Sequence, residues 1–62
     1  MCRAEELQND IENLEFARRF YMGNLAELED LGLTHTPRYT AIKRNIDNIN
    51  HNIKRIQKEL AV

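Results

Sequence analysis

Cysteine, histidine and tryptophan are scarce or absent in this chain. The scarcity of cysteine and histidine limits the ways in which the fold can be stabilised. The 62 residues include one cysteine, two histidines and no tryptophan, so they offer neither a disulfide framework nor a recognised zinc-ligand spacing. A chain this short buries only a small core and usually needs disulfides, a metal or oligomerisation for stability. Of these three sources of stability, the composition favours oligomerisation. We expect no metal and no cofactor.

A charge excess and long apolar runs are also missing. The formal net charge is −1, which provides no overall attraction to nucleic acid or to an anionic membrane surface. Apolar runs extend over only a few residues, too few for a membrane-spanning helix or a signal-peptide core. These features predict a cytoplasmic protein for which neither a membrane nor nucleic acid is the expected partner.

The apolar residues that are present form a heptad seam in each half of the chain. Their spacing alternates between three and four residues, which is typical of an amphipathic helix that buries one narrow stripe against another helix. The first seam consists of Leu7, Ile11, Leu14, Arg18, Tyr21, Leu25 and Leu28, and the second of Tyr39, Ile42, Ile46, Ile49, Ile53, Ile56 and Leu60.

The residues between the seams carry the signals of a helix end and a helix start. Gly32 suits the left-handed conformation that often follows a helix. Thr36 and Pro37 fit an N-cap and a first helical residue, because the hydroxyl can accept a free backbone amide and proline has no amide to satisfy. We predict a single helical-hairpin domain, residues 1–62, with helix 1 at about 3–31, a turn at 32–36 and helix 2 at about 37–60.

Opposite charges on the two halves favour antiparallel packing. Residues 3–31 carry three basic and eight acidic side chains, whereas residues 37–60 carry six basic and two acidic ones. The seams match when the numbers of facing residues add to about 67, as for Leu7 with Leu60 and Arg18 with Ile49. We therefore predict an all-α fold, an antiparallel helical hairpin with a coiled-coil-like seam.

Assembly of this hairpin into a four-helix bundle or a higher oligomer is also expected. A seam between only two helices should leave each isoleucine wet on one side, and isoleucine at both core positions favours more than two strands in parallel coiled coils. The first expected partner is therefore a second copy of the chain, in a dimer or a larger homo-oligomer.

Phe16, Phe20 and Gly23 fall at outer heptad positions of helix 1, away from its seam. The phenylalanines should be exposed on a single hairpin, while a helical glycine costs about 1 kcal/mol but allows another backbone to approach closely. We interpret the three residues as a contact surface, either within the protein's own oligomer or for a foreign protein.

Two further groups of residues have both a structural and a functional interpretation. Arg18 interrupts an apolar seam, where a single polar residue commonly sets register or oligomer state, although it could also contact a ligand. Thr34, His35, Thr36 and Arg38 lie at the hairpin tip. The positive end of helix 2 could receive a phosphate or carboxylate there, although the same residues fit an ordinary capping turn.

No phosphate loop, nucleophile elbow or paired carboxylates indicate an enzyme. We predict a non-enzymatic hairpin that binds another macromolecule as a regulator or inhibitor, a plausible product of a phage or mobile element. One alternative is an oligomeric binder of a small anionic ligand, such as a nucleotide, at the tip or in a crevice between protomers; another is purely structural self-assembly. The hairpin is also similar in architecture to dimers of the plasmid Rop type, which implies RNA binding. Helix 2 has a basic side that could serve such binding or could simply be a solvated face that balances the acidic helix 1; it is formed by Lys43, Arg44, Lys54, Arg55 and Lys58.

Overall fold

The computed structural model describes residues 2–61, which form two long helices packed against each other. Helix α1 spans Arg3–Asp30 and helix α2 spans Pro37–Ala61, and the described residues contain no strand. The molecule measures 45 × 15 × 13 Å, which fits two helices lying side by side because 28 residues at 1.5 Å each extend about 42 Å. The predicted all-α antiparallel hairpin is confirmed. Neither helix within residues 2–61 is long and apolar enough to cross a membrane.

Helix α1 ends in a Schellman motif that turns the chain towards α2. The Leu33 amide donates to the Leu28 carbonyl at 2.8 Å and the Gly32 amide donates to the Glu29 carbonyl at 3.0 Å, which satisfies carbonyls that the end of a helix leaves free. The motif requires a left-handed residue, and Gly32 adopts a φ of 72°. Any residue with a Cβ would be strained there.

Helix α2 begins with the side-chain cap that the Thr36-Pro37 pair predicts. Thr36 Oγ1 accepts a hydrogen bond from the Tyr39 amide at 3.3 Å and donates to the Leu33 carbonyl at 2.9 Å. One hydroxyl therefore closes the first turn of α2 and also fixes the end of the preceding turn. The connection between the helices is short and internally bonded, so it holds them antiparallel.

The core of the hairpin is the seam between its helices. Burial of one such aliphatic side chain contributes about 1.5–3 kcal/mol, which makes the seam the main source of stability. Five buried residues form one cluster, against which Leu14, Ala17, Tyr21 and Leu60 pack. The most buried residues, each at most 8% exposed, are Leu7, Ile11, Ile42, Ile49, Ile53 and Ile56.

Burial of the isoleucines is more complete than the sequence suggested. Four of the five isoleucines of α2 are buried within one hairpin, and only Ile46 stays partly exposed. The expectation that a two-helix seam leaves each isoleucine wet on one side is therefore wrong for these four. The partly buried side chains that pack against the buried cluster are Leu14, Ala17, Tyr21 and Leu60. Burial of these four isoleucines does not require a second copy of the chain. Formation of a bundle stays a prediction.

Candidate functional site

The outer face of α1, defined here as Phe16, Phe20 and Gly23, is the most exposed aromatic surface of the hairpin. Phe16 is 68% exposed and Phe20 is 64% exposed. Their spacing of four residues, and the further three to Gly23, places all three on one side of the helix. That side points away from the seam, so the hairpin core neither needs these rings nor covers them.

Gly23 has open space above it. A Cβ at this position would meet no atom outside its own helix turn within 4 Å, and Gly23 is not among the residues with a positive φ. A glycine inside a helix costs about 1 kcal/mol relative to alanine. Neither packing within the chain nor backbone conformation accounts for that cost, whereas a close approach by another molecule would.

Phe20 is oriented by its neighbour in the chain. Its ring meets the Tyr21 ring edge-to-face, with centroids 5.9 Å apart and planes at 72°, a preferred geometry for aromatic pairs. Tyr21 in turn packs against the buried core cluster. Tyr21 therefore connects the exposed Phe20 ring to the core of the hairpin.

The other large exposed apolar side chains lie elsewhere on the surface. Met22 is 53% exposed, but two residues after Phe20 it falls on a different side of α1. Leu31 and Leu33 are exposed at the tip of the hairpin. Met22 therefore provides a matched comparison for the outer face, with similar exposure on the same helix.

Arg18 lies in the seam with its side chain one-third exposed, and it bonds across to the other helix. Its Nη1 donates to Asn50 Oδ1 at 2.8 Å, and its Nη2 lies 3.9 Å from Glu15 Oε2. The Arg18 guanidinium thus binds α2 through Nη1 and lies near an acidic side chain of α1 through Nη2. This cross-helix bond suits the predicted role in register, which stays a prediction.

The four tip residues proposed as an anion site are only partly available for that role. Thr36 uses its hydroxyl in capping α2. Pro37 has no amide, and the Tyr39 amide is bonded to that hydroxyl, so Arg38 supplies the one free amide among the first three helical positions. His35 and Arg38 have exposed side chains, while Thr34 is partly buried. The Thr36 hydroxyl thus caps α2, and anion binding at the tip stays a prediction.

A different cluster at the tip escaped the sequence analysis. Tyr39 Oη donates a hydrogen bond of 2.9 Å to Glu29 Oε2, and Lys43 Nζ lies 5.8 Å from the centre of the Tyr39 ring. The bond to the Glu29 carboxylate, with smaller effects of partial burial and of the nearby negative charge, raises the pKa of Tyr39 above its ordinary value. Facing numbers that add to 68 could have identified both this pair and the Arg18–Asn50 pair.

The remaining polar features carry less chemistry. Arg3 and Glu59 form an ion pair of 3.2 Å at the open end of the hairpin, where both side chains are at least half exposed, and such pairs contribute little. Within residues 2–61 no three histidine, cysteine, aspartate or glutamate side chains are grouped so that they could hold a metal ion. The lone cysteine, Cys2, is exposed at the start of α1.

The fold and this surface define a small two-helix hairpin with an exposed aromatic face. No family model, no curated protein and no solved structure matches this chain.

Proposed function

We propose that this protein is a non-enzymatic regulator or inhibitor that binds another protein through the outer face of α1. The observation that carries the proposal is the pairing of two phenylalanines, 68% and 64% exposed, with an open helical glycine one turn away. Exposed aromatic anchors beside a small residue are typical of the centre of a protein interface. Binding would take place in the cytoplasm, where an isolated thiol such as Cys2 stays reduced.

The two exposed rings would contribute part of the binding free energy that a partner requires. Full burial of a phenylalanine side chain contributes about 1.5–3 kcal/mol, and two-thirds of each ring is still available. Covering both rings would therefore contribute about 2–4 kcal/mol, which corresponds to roughly 30-fold to 1,000-fold in Kd.

The outer face stays available whether or not the hairpin associates with itself. The expected four-helix bundle would be built around the seam, and its contacts would involve seam residues that one hairpin leaves partly exposed, such as Ile46. Phe16 and Phe20 lie on the opposite side of α1 from the seam. The proposal thus combines a homo-oligomer formed along the seam with a separate face for a foreign protein.

A comparison of matched variants tests the proposal. Phe16→Ser/Phe20→Ser removes the aromatic anchors, and Met22→Ser removes a similarly exposed apolar side chain from another side of α1. Each protein is immobilised, exposed to a lysate of its natural host, and compared by quantitative mass spectrometry, with circular dichroism to verify helicity. We expect wild type and Met22→Ser to retain the same protein, and the double variant to remain helical but lose it.

Gly23→Ala provides a second, independent test. The change should stabilise the free hairpin by about 1 kcal/mol, because alanine is the better helix former and the space is open. It should also weaken binding if a partner backbone approaches this point. Retention of every partner by the folded phenylalanine double variant, and unchanged affinity of Gly23→Ala, would together contradict the proposal.

A further inference from the structure

Acidic side chains flank the outer face at both ends. Glu12 lies one turn before Phe16, and Glu27 lies one turn after Gly23, so the helical period places both on the same side as the rings. Both side chains are exposed, and within residues 2–61 the ion pairs of the hairpin do not include them. The outer face therefore has an apolar centre between two carboxylates that form no ion pair in the described residues.

The same charge continues along this side of α1. Glu5 and Asp30 lie on it further out, and both are exposed. Arg19 lies at its border and lines a depression together with Glu12, Glu15 and Arg18. Such a surface favours a cationic partner over an anionic one such as a nucleic acid or an acidic membrane.

A second copy of the chain fits this surface poorly. Packing α1 against α1 of another copy would bring like charges together, which is unfavourable at an interface. The outward side of α2 has the right charge, with Arg44, Lys54 and Lys58 exposed there. However, none of the large exposed apolar side chains of residues 2–61 belongs to α2, so it offers nothing to cover two aromatic rings.

We propose that the occupant of the outer face is a basic amphipathic helix of another protein. Its apolar stripe would cover Phe16 and Phe20, its backbone would pass closest at Gly23, and its lysine or arginine side chains would pair with Glu12 and Glu27. The two carboxylates are about 22 Å apart along α1, so the partner's cations should lie near the two ends of a helix of similar length. This inference rests on the proposed function and adds the chemistry of the partner.

Three synthetic peptides of about 20 residues, a length that matches this span, test the inference. The first has a leucine stripe with lysines near both ends, the second has glutamates in place of those lysines, and the third is a scrambled form of the first. Binding to the full chain is measured by fluorescence anisotropy at several salt concentrations. The protein variants are Glu12→Gln/Glu27→Gln, the control Glu6→Gln/Asp47→Asn, which removes two charges elsewhere, and Phe16→Ser/Phe20→Ser.

The basic stripe peptide should bind at least tenfold tighter than its acidic and scrambled counterparts. Glu12→Gln/Glu27→Gln should weaken it by about threefold to tenfold, as expected for two exposed pairs, and should flatten its salt dependence. The control variant should leave the affinity unchanged, and the phenylalanine double variant should abolish binding.

Other outcomes overturn the inference in distinguishable ways. Equal binding of the basic and acidic stripe peptides, with dependence on the phenylalanines, would remove the charge assignment and leave the proposed function standing. Equal binding of a peptide to wild type and to Phe16→Ser/Phe20→Ser would overturn the inference and would also count against the proposed function. No binding of any peptide at 1 mM would overturn the inference alone. A wild-type dimer in sedimentation that Phe16→Ser/Phe20→Ser dissociates would identify a second copy as the occupant.

Discussion

Ile46 and Ile53 are chemically identical residues one heptad apart on the α2 seam, and the hairpin treats them differently. Ile53 is 5% exposed within the core cluster, whereas Ile46 is only partly buried. Replacing each by valine removes one methylene from the same helix and the same heptad position. Comparing the loss of stability in the two variants therefore shows how completely a single hairpin buries its seam.

The expected loss in the free energy of unfolding depends on how deeply each isoleucine is buried. A buried Ile→Val change costs about 0.5–1.5 kcal/mol, so Ile53→Val should cost about 1 kcal/mol, or about 4–8 °C in Tm for a domain of this size. Ile46→Val should cost roughly half as much, because part of its side chain is already in water. If a second hairpin covers the seam, Ile46 is also buried and the two costs become equal.

Thermal melts followed by circular dichroism, repeated across a hundredfold range of protein concentration, provide the measurement. At low concentration we expect the cost at Ile53 to exceed that at Ile46. If the predicted bundle forms, Tm should rise with concentration and the cost at Ile46 should approach that at Ile53. A concentration-independent Tm would contradict the oligomer, and a larger cost at Ile46 than at Ile53 in a monomer would refute the packing described here.

Three further predictions concern polar contacts. Arg18→Leu should raise the free energy of unfolding by up to about 1 kcal/mol, because apolar burial in the seam outweighs one part-exposed hydrogen bond to Asn50; a loss of stability in denaturant titrations would show instead that this bond is essential. Thr36→Ala should lower the free energy of unfolding by about 1 kcal/mol, because the cap of α2 is lost. An unchanged Tm would show that the cap is dispensable. The bond from Tyr39 to Glu29 stabilises the neutral phenol, so its contribution is complete below about pH 10, the ordinary tyrosine pKa, and is lost as pH rises through the higher folded pKa. Wild type should therefore lose more stability than Tyr39→Phe in melts at increasing alkaline pH, and parallel losses would rule the linkage out.

Local sequence signals were sufficient for the helices, the turn and their orientation. Gly32 and the Thr36-Pro37 pair act through backbone geometry and hydrogen bonds within a few residues, so they can be interpreted without a tertiary structure. The two heptad seams and the opposite charges of the halves then leave the antiparallel hairpin as the arrangement that buries both stripes. The exposure of Phe16 and Phe20 follows from the same periodicity, because outer heptad positions cannot reach the seam.

The tertiary structure decided the features that depend on two chain segments and their relative rotation. How completely one helix buries the isoleucines of the other depends on the relative rotation and separation of the two helices, and periodicity carries no information about either. The bond between Tyr39 and Glu29 likewise required the turn to set the register to within one residue. Sequence alone thus determined which faces are apolar and which ends meet, because those follow from local geometry. The degree of burial, the cross-helix bonds and the open space at Gly23 were decided by packing, because each is a distance between atoms that the chain brings together only when it folds.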